Sequence, residues 1–300
     1  MARDAITLSR DAWERAWPAP AKLNLFLHVV GRRVDGYHLL QTVFRLIDLQ
    51  DTLRFARRDD DAVRRANDVP GVPEEDDLVV RAARLLQEET GCREGVTITI
   101  EKRIPMGGGL GGGSSDAATA LAVLNRLWNL HVPRERLAQL ALTLGADVPF
   151  FLFGRNAFAE GVGEALTPIE LPPAWYVVLT PPVSVSTREI FTAPDLTRDT
   201  KPIKMQAFFS GFGRNDLESA VAARYPEVAR HLAWLRDLGD ARMSGSGACV
   251  FAEFPTEREA RSVLARMPAD MRGFLARGLE RHPLAEFLDE PVPLGSRQVG

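Results

Sequence analysis

The chain has 300 residues, 45% hydrophobic and 26% charged, with a net charge of −3. That is the profile of a soluble globular protein of about two domains. It carries no overall basic footprint for nucleic acid, and no apolar run reaches the roughly 18 residues that a membrane helix needs. Neither partner is expected. Cys92 and Cys249 lack CxxC spacing and read as free thiols in a reducing compartment. Residues 1–17 are charged throughout and lack an apolar centre, so they read as a loose extension rather than a signal peptide. A cytoplasmic location follows as the expectation.

Residues 21–30 (AKLNLFLHVV) alternate as a strand, with Leu23, Leu25, Leu27 and Val29 on one face and Lys22, Asn24, Phe26 and His28 on the other. Residues 31–37 (GRRVDGY) form a turn signalled by Asp35-Gly36. Residues 39–49 and 52–56 read as two further strands, and the charged stretch 59–75, with Pro70-Gly71 and Pro73, as a loop. Asp76 or Asp77 can cap a helix running to about Thr90. A strand follows over residues 95–103, then a glycine run, then a helix over residues 117–128 with Leu121, Leu124 and Trp128 on one stripe. Pro133 opens another helix that ends at Gly145. Residues 158–165 read as a hairpin or strand edge.

Leu171-Pro172-Pro173 marks a domain boundary. Beyond it come a buried strand over residues 175–180, short helices, and a longer helical stretch over 217–238. A strand–glycine turn–strand follows over 241–254, then a helix capped by Thr256 and Glu259, and a last strand over 273–280. This order gives a compact α+β unit, and residues after about 288 read as loose. No internal repeat is present.

The glycine run carries the most chemistry. Between Pro105 and Asp116, Gly107, Gly108, Gly109, Gly111, Gly112 and Gly113 lack Cβ atoms, so the backbone can take positive φ and press against a ligand. A strand, a glycine loop and a helix N-terminus together make an anion site, with phosphate the expected anion. A flexible linker would not sit between a strand and a helix of one folding unit. Walker A requires a lysine after its last glycine, where this chain has Ser114. A dinucleotide fold requires an acidic residue ending a second strand, and Glu135 lies in a helical pattern instead.

Other residues admit two readings each. Asp147, in Gly145-Ala146-Asp147-Val148-Pro149, is either a fixed carboxylate in a cleft or an Asx-turn that satisfies local backbone. Lys22 is either an exposed strand lysine or a cation near a transferred phosphate. Tyr37-His38 is either a stacking platform or a loop aromatic covering core. Ser244-Gly245-Ser246-Gly247 either lines a ligand or makes a tight hairpin.

Together these segments resemble the galactokinase, homoserine kinase, mevalonate kinase and phosphomevalonate kinase (GHMP) superfamily, and within it the branch acting on a cytidyl diphosphate sugar alcohol. The resemblance rests on PAPAKLNLFL (18–27), DGYHLLQT (35–42), PMGGGLGGGSSDAA (105–118), LGADVPFF (144–151) and SGSGACVF (244–251). It covers nearly the whole chain. It implies a two-domain α+β architecture, residues 18–170 and 171–288, with the active site in the cleft between them. It implies ATP and Mg²⁺ as cofactors and phosphorylation of the 2-hydroxyl of 4-diphosphocytidyl-2-C-methyl-D-erythritol, on the non-mevalonate route to isopentenyl diphosphate. Carried over, Lys22 and Asp147 become the catalytic pair. Pro105, Met106, Gly107, Gly108, Gly109, Leu110, Gly111, Gly112, Gly113, Ser114 and Ser115 become the ATP phosphate loop, with Ser114 or Ser115 available to Mg²⁺. Tyr37 and Phe191 would clasp the cytosine, with His38 reading its edge; Asn24 and Thr187 would hold polar parts of the substrate. Thr187 and Phe191 rest on the shorter match STREIF (186–191). Another kinase of the superfamily, or a catalytically silent nucleotide-binding protein, are the alternatives; oligomeric state is left open.

Overall fold

The computed structural model describes residues 11–289 except residue 212; of the ends expected to be loose, residues 1–10 and 290–300 lie outside the described residues. A short helix α1 (Asp11–Glu14) leads into strand β1 (Trp17–Arg32). Trp17 is buried, with its ring 5.1 Å from that of Phe287, so this part of the expected extension is anchored by its indole.

Strand β2 (His38–Arg58) is continuous for 21 residues, where two strands were expected. Its polar Gln50-Asp51 step reads as a break in the sequence. In the fold Asp51 is buried and accepts the backbone N–H groups of Arg103 and Ile104, at 2.5 and 2.8 Å, so the strand passes through it. The stretch expected as loop holds strand β3 (Val63–Arg65) and a 3₁₀ turn, Glu74–Asp76. Helix α2 (Leu78–Thr90) is capped by the Asp77 carboxylate on the Val79 N–H and closed by Gly91 at φ 70°. Strand β4 (Gly95–Glu101) precedes the glycine run. Helix α3 (Gly112–Leu127) begins five residues earlier than the apolar stripe indicates, because its first turn is Gly-Gly-Ser-Ser, poor helix formers held there by tertiary contacts. Helices α4 (Arg134–Leu144) and α5 (Val148–Phe153) follow, then a hairpin of β5 (Ala157–Glu160) and β6 (Ala165–Pro168).

β1 runs antiparallel along one edge of β2, while β5 and β4 share the other edge, pairing with residues 42–44 and 52–58. β3 adds outside β4 and β6 outside β5. Helices α2 to α5 cover one face of this sheet over a core that includes Phe44, Leu53, Leu121 and Phe150.

The second sheet has the order β10 (Gly273–Arg277), β7 (Trp175–Leu179), β9 (Val250–Phe254), β8 (Ala241–Met243), all antiparallel. Helices α6 (Thr187–Thr192), α7 (Met205–Phe209), α8 (Glu218–Arg224), α9 (Pro226–Arg236) and α10 (Glu257–Leu264) belong to this half, and α11 (Ala285–Asp289) closes the described chain. The single long helix expected over 217–238 is split because Tyr225 precedes Pro226 and leaves the helical region, at ψ 89°. The Thr256 cap forms as read, its hydroxyl accepting the Glu259 N–H.

A third apolar cluster, including Leu23, Phe26, Ile47, Tyr176 and Phe251, fills the space between the two sheets. Both faces of β1 are therefore buried, including the one that carries Lys22 and Asn24. Residues 171–173 lie between β6, in the first sheet, and β7, in the second. The tail beyond β10 returns to the first half, where Leu284 joins its core. His282 fixes that return: its N–H donates to Gly154 O at 2.9 Å and its Nδ1 accepts from Leu284 N at 3.0 Å.

Burial pulls the His282 imidazole down to about 3. Unfolded, it titrates near 6.5. The unfolded chain therefore takes up a proton that the folded chain refuses, and the stability present above about pH 6.5 is lost as pH falls toward 3. His282→Gln keeps an acceptor without the basic group. Its melting temperature should fall less between pH 7 and 5 than that of the parent, a difference worth at most about 2 kcal/mol at pH 5. Parallel pH curves would contradict this role.

Candidate active site

Lys22 and Asn24, two residues apart on β1, share one face. The Lys22 ammonium is buried, 3% exposed, which removes the surface-lysine reading. It donates to Asn24 Oδ1 at 2.5 Å and Gly109 O at 3.0 Å, and pairs with Asp147 Oδ2 at 3.2 Å. Two hydrogen bonds and an ion pair offset the cost of taking the charge out of water. Asn24 is itself fixed, because its Nδ2 donates to Thr42 Oγ1 at 2.9 Å and the Thr42 hydroxyl donates to Phe26 O. Asp147 stands at the start of α5 but makes no side-chain capping bond, so it does not serve the local backbone as an Asx-turn would. Its side chain is 33% exposed and lines a cavity.

The glycine loop is held by its carbonyls. Gly107 O accepts from Ala248 N at 3.2 Å, Gly108 O from Cys249 N at 3.1 Å, Gly109 O from the Ser244 hydroxyl at 3.0 Å, and Leu110 O from Lys22 N at 2.9 Å. In a planar trans peptide the N–H that follows each carbonyl points the opposite way. The loop thus turns N–H groups away from β1 and the Ser244–Gly247 turn. Gly107, Gly109 and Gly111 have φ of 66°, 72° and 73°. A Cβ at Gly109 would lie 2.1 Å from Ser244 O, and one at Gly111 would lie 2.9 Å from the Phe151 ring and 3.1 Å from Lys22 Cε. These glycines are required by protein packing around the loop, where the sequence pattern alone points to space for a ligand.

The loop is a wall between two cavities. The first, about 320 Å³, is lined by Lys22, Asn24, Asp147, Thr187, Phe191 and Ser246. The second, about 380 Å³, is lined by residues 105–114, Val72, Leu78, Lys102 and Asp116. Gly107, Gly109, Gly111 and Ser114 face both.

The second cavity contains a group that the sequence analysis passed over. Lys102 Nζ bonds Asp116 Oδ2 at 2.7 Å and also the Asp51 carboxylate. Burial pushes the Asp116 carboxyl up to about 7 against the pull of the Lys102 ammonium, and the nearby Asp51 charge adds to the rise. Asp116 Oδ1 and Ser115 Oγ are buried and without a hydrogen-bond partner. One signal in the sequence pointed here: Lys102 is one of only four lysines in an arginine-rich chain and directly precedes the loop.

The expected base-binding residues are only partly assembled. Thr187 Oγ1 meets Ser246 Oγ at 2.7 Å on the wall facing Lys22. Phe191 lines the same cavity and lies 4.9 Å from the His38 ring. His38 Nε2 accepts from Arg198 Nε at 3.2 Å, and burial, with the Arg198 charge, holds its imidazole below the usual range. Tyr37 is exposed at the end of its turn and does not line the cavity.

Gly113 offers a control for the loop, since a Cβ there meets only Leu78 Cδ1 at 3.7 Å and the residue is helical. Gly109→Ala should lose at least about 2 kcal/mol in urea denaturation through strain and collision. Gly113→Ala should be neutral or gain up to about 1 kcal/mol. Equal effects at both positions would contradict the packing described here.

This two-sheet fold, with a glycine loop at a helix start and a buried lysine paired with a carboxylate beside it, is that of a GHMP kinase. The GHMP kinases N terminal domain matches residues 77–155, and the GHMP kinases C terminal domain matches residues 198–273. The chain is 64% identical over 276 residues to the 4-diphosphocytidyl-2-C-methyl-D-erythritol kinase of Thiobacillus denitrificans, covering 92% of this chain and 99% of that protein. It is 63% identical to the one of Nitrosospira multiformis, covering 92% and 95%. A crystal structure of 4-(cytidine 5'-diphospho)-2C-methyl-D-erythritol kinase is similar at TM-score 0.75 and 38% identity, covering 88% of this chain and 99% of that one. The chain belongs to the 4-diphosphocytidyl-2-C-methyl-D-erythritol kinase family.

Proposed function

We propose that this enzyme transfers the γ-phosphoryl group of ATP to the 2-hydroxyl of 4-diphosphocytidyl-2-C-methyl-D-erythritol, on the non-mevalonate route to isopentenyl diphosphate, and works in the cytoplasm. The observation that carries the assignment of roles is the Lys22–Asp147 pair, 3.2 Å apart on a glycine wall shared by two cavities. ATP phosphates occupy the second cavity, where the free N–H groups of the loop and the start of α3 favour anions. The alcohol occupies the first.

Phosphoryl transfer depends on positioning and on stabilising charge. Asp147 accepts a hydrogen bond from the attacking hydroxyl and takes its proton as the oxygen bonds to the γ-phosphorus and ADP departs. Lys22, held by Asn24 and Gly109, is aimed before substrate arrives and offsets negative charge at the transferring group without reorganising. Magnesium suits the second cavity in the way this ion is usually bound, through one or two protein oxygens shared with phosphate. Of the two serines, Ser114 lines both cavities while Ser115 lines neither, so Ser114 and Asp116, which lines the second cavity and whose Oδ1 has no partner, would hold it. When bound, the ion neutralises phosphate charge.

Phe191, already packed on His38, supplies one face for the cytosine. Tyr37, exposed beside His38, supplies the other when its turn closes. Thr187 and Asn24 hold polar parts of the substrate.

A coupled ADP-release assay with and without the cytidyl alcohol tests this reading: ADP should form only in its presence. Asp147→Asn should lower kcat about 10²-fold or more with little change in either KM, because the lost interaction belongs to the transition state. Near-normal turnover in the folded variant would remove Asp147 from the mechanism. Tyr37→Ala should weaken the cytidyl substrate by roughly 1–3 kcal/mol and leave the KM for ATP unchanged. Loss of ATP affinity instead would mean that the two cavities are assigned the wrong way round.

A further inference from the structure

A third cavity of about 500 Å³, lined by residues of both halves, opens between them. Its floor is Arg45, on β2. Arg45 shares one face of β2 with Val43 and Ile47, which belong to the apolar cluster between the sheets, so the strand drives its side chain into that layer. The residue is 0% exposed. Its guanidinium lies against Gly278, where a Cβ would sit 2.2 Å from Nη2, so the glycine makes the room. Nε, Nη1 and Nη2 all lack a hydrogen-bond partner.

A guanidinium cannot shed its charge, and a buried cation without a counter-charge is unfavourable. The other charged groups around the cavity are already engaged. Glu253 accepts from the Tyr176 hydroxyl at 2.9 Å and is exposed; Arg242 donates to Leu25 O at 2.8 Å and pairs with Asp240 at 2.6 Å. Neither acid bonds Arg45. The rest of the lining is largely apolar, with Leu171, Phe251 and Phe208 in the walls and the exposed Phe209 at the mouth.

We propose that this cavity is a second ligand site, for a small amphipathic oxyanion: a phosphate or carboxylate head bound by Arg45, with a short apolar tail along the phenylalanines. An orphaned fork of donors matches an oxyanion in geometry and charge, and the volume suits a small molecule. The site shares no lining residue with either kinase cavity.

The test uses the full chain with saturating ADP, so that the glycine loop is occupied, and calorimetric titration with hexyl phosphate, hexanoate and hexanol. Hexyl phosphate or hexanoate should bind, and whichever is tighter identifies the head group. Hexanol should bind at least about tenfold more weakly, and Arg45→Met should weaken the anion about tenfold or more, as loss of a charge-assisted hydrogen bond requires. Phe209→Ser, a change at an exposed position that leaves the core intact, should weaken the anion several-fold. Equal binding of hexanol and the anions, unchanged affinity in Arg45→Met or in Phe209→Ser, or no binding of either anion to the parent chain would each overturn the proposal.

Discussion

A lysine ammonium buried in a protein interior must be compensated by hydrogen bonds and opposite charge, and the candidate active site is organised around that requirement. Lys22 draws that compensation from three places: hydrogen bonds to Asn24 on the same strand and to the Gly109 carbonyl of the loop, and an ion pair with Asp147 at the start of α5. The three elements are thereby fixed relative to one another before any ligand enters. Breaking one contact would leave a charge without full compensation, which is why the arrangement is rigid. Pre-set charge of this kind favours a transition state over a ground state.

The glycine loop extends the same constraint across the molecule. Its carbonyls take donors from β1 and from the Ser244–Cys249 segment, so the loop is the seam where the two sheets meet. Close approach at Gly109 and Gly111 leaves no space for side chains. The N–H groups are left for the opposite side. One short segment thus joins the halves, separates two cavities and sets the pair Lys22–Asp147 at the partition.

Much of this was legible in the sequence. The alternation in residues 21–30, the glycine run after a strand and the Ala-Asp-Val-Pro turn marked the elements that meet at the site, and Asp77, Gly91 and Thr256 marked helix ends through local chemistry. What was hidden depends on distant contacts. Polar residues on β1 read as a solvent-facing side because alternation reports polarity, and here the polar side is the site, covered by the other half. Asp51 read as a break because its partners, Arg103 and Ile104, lie more than 50 residues on. The Lys102–Asp116 pair was lost for a similar reason: its members flank the loop, and only folding brings Asp51 beside them. Trp17 looked peripheral by position in the chain and Leu284 was assigned to the second domain, yet both enter the first core.

Transfer across a glycine partition makes a geometric demand that a single structure can test: a crystal of the enzyme with a non-hydrolysable ATP analogue and 4-diphosphocytidyl-2-C-methyl-D-erythritol. The triphosphate should lie in the cavity lined by Lys102 and Asp116, its terminal phosphate reaching the loop beside Lys22. The 2-hydroxyl should lie within hydrogen-bond distance of Asp147 in the other cavity. Both ligands in one cavity, or a 2-hydroxyl out of reach of Asp147, would contradict that geometry.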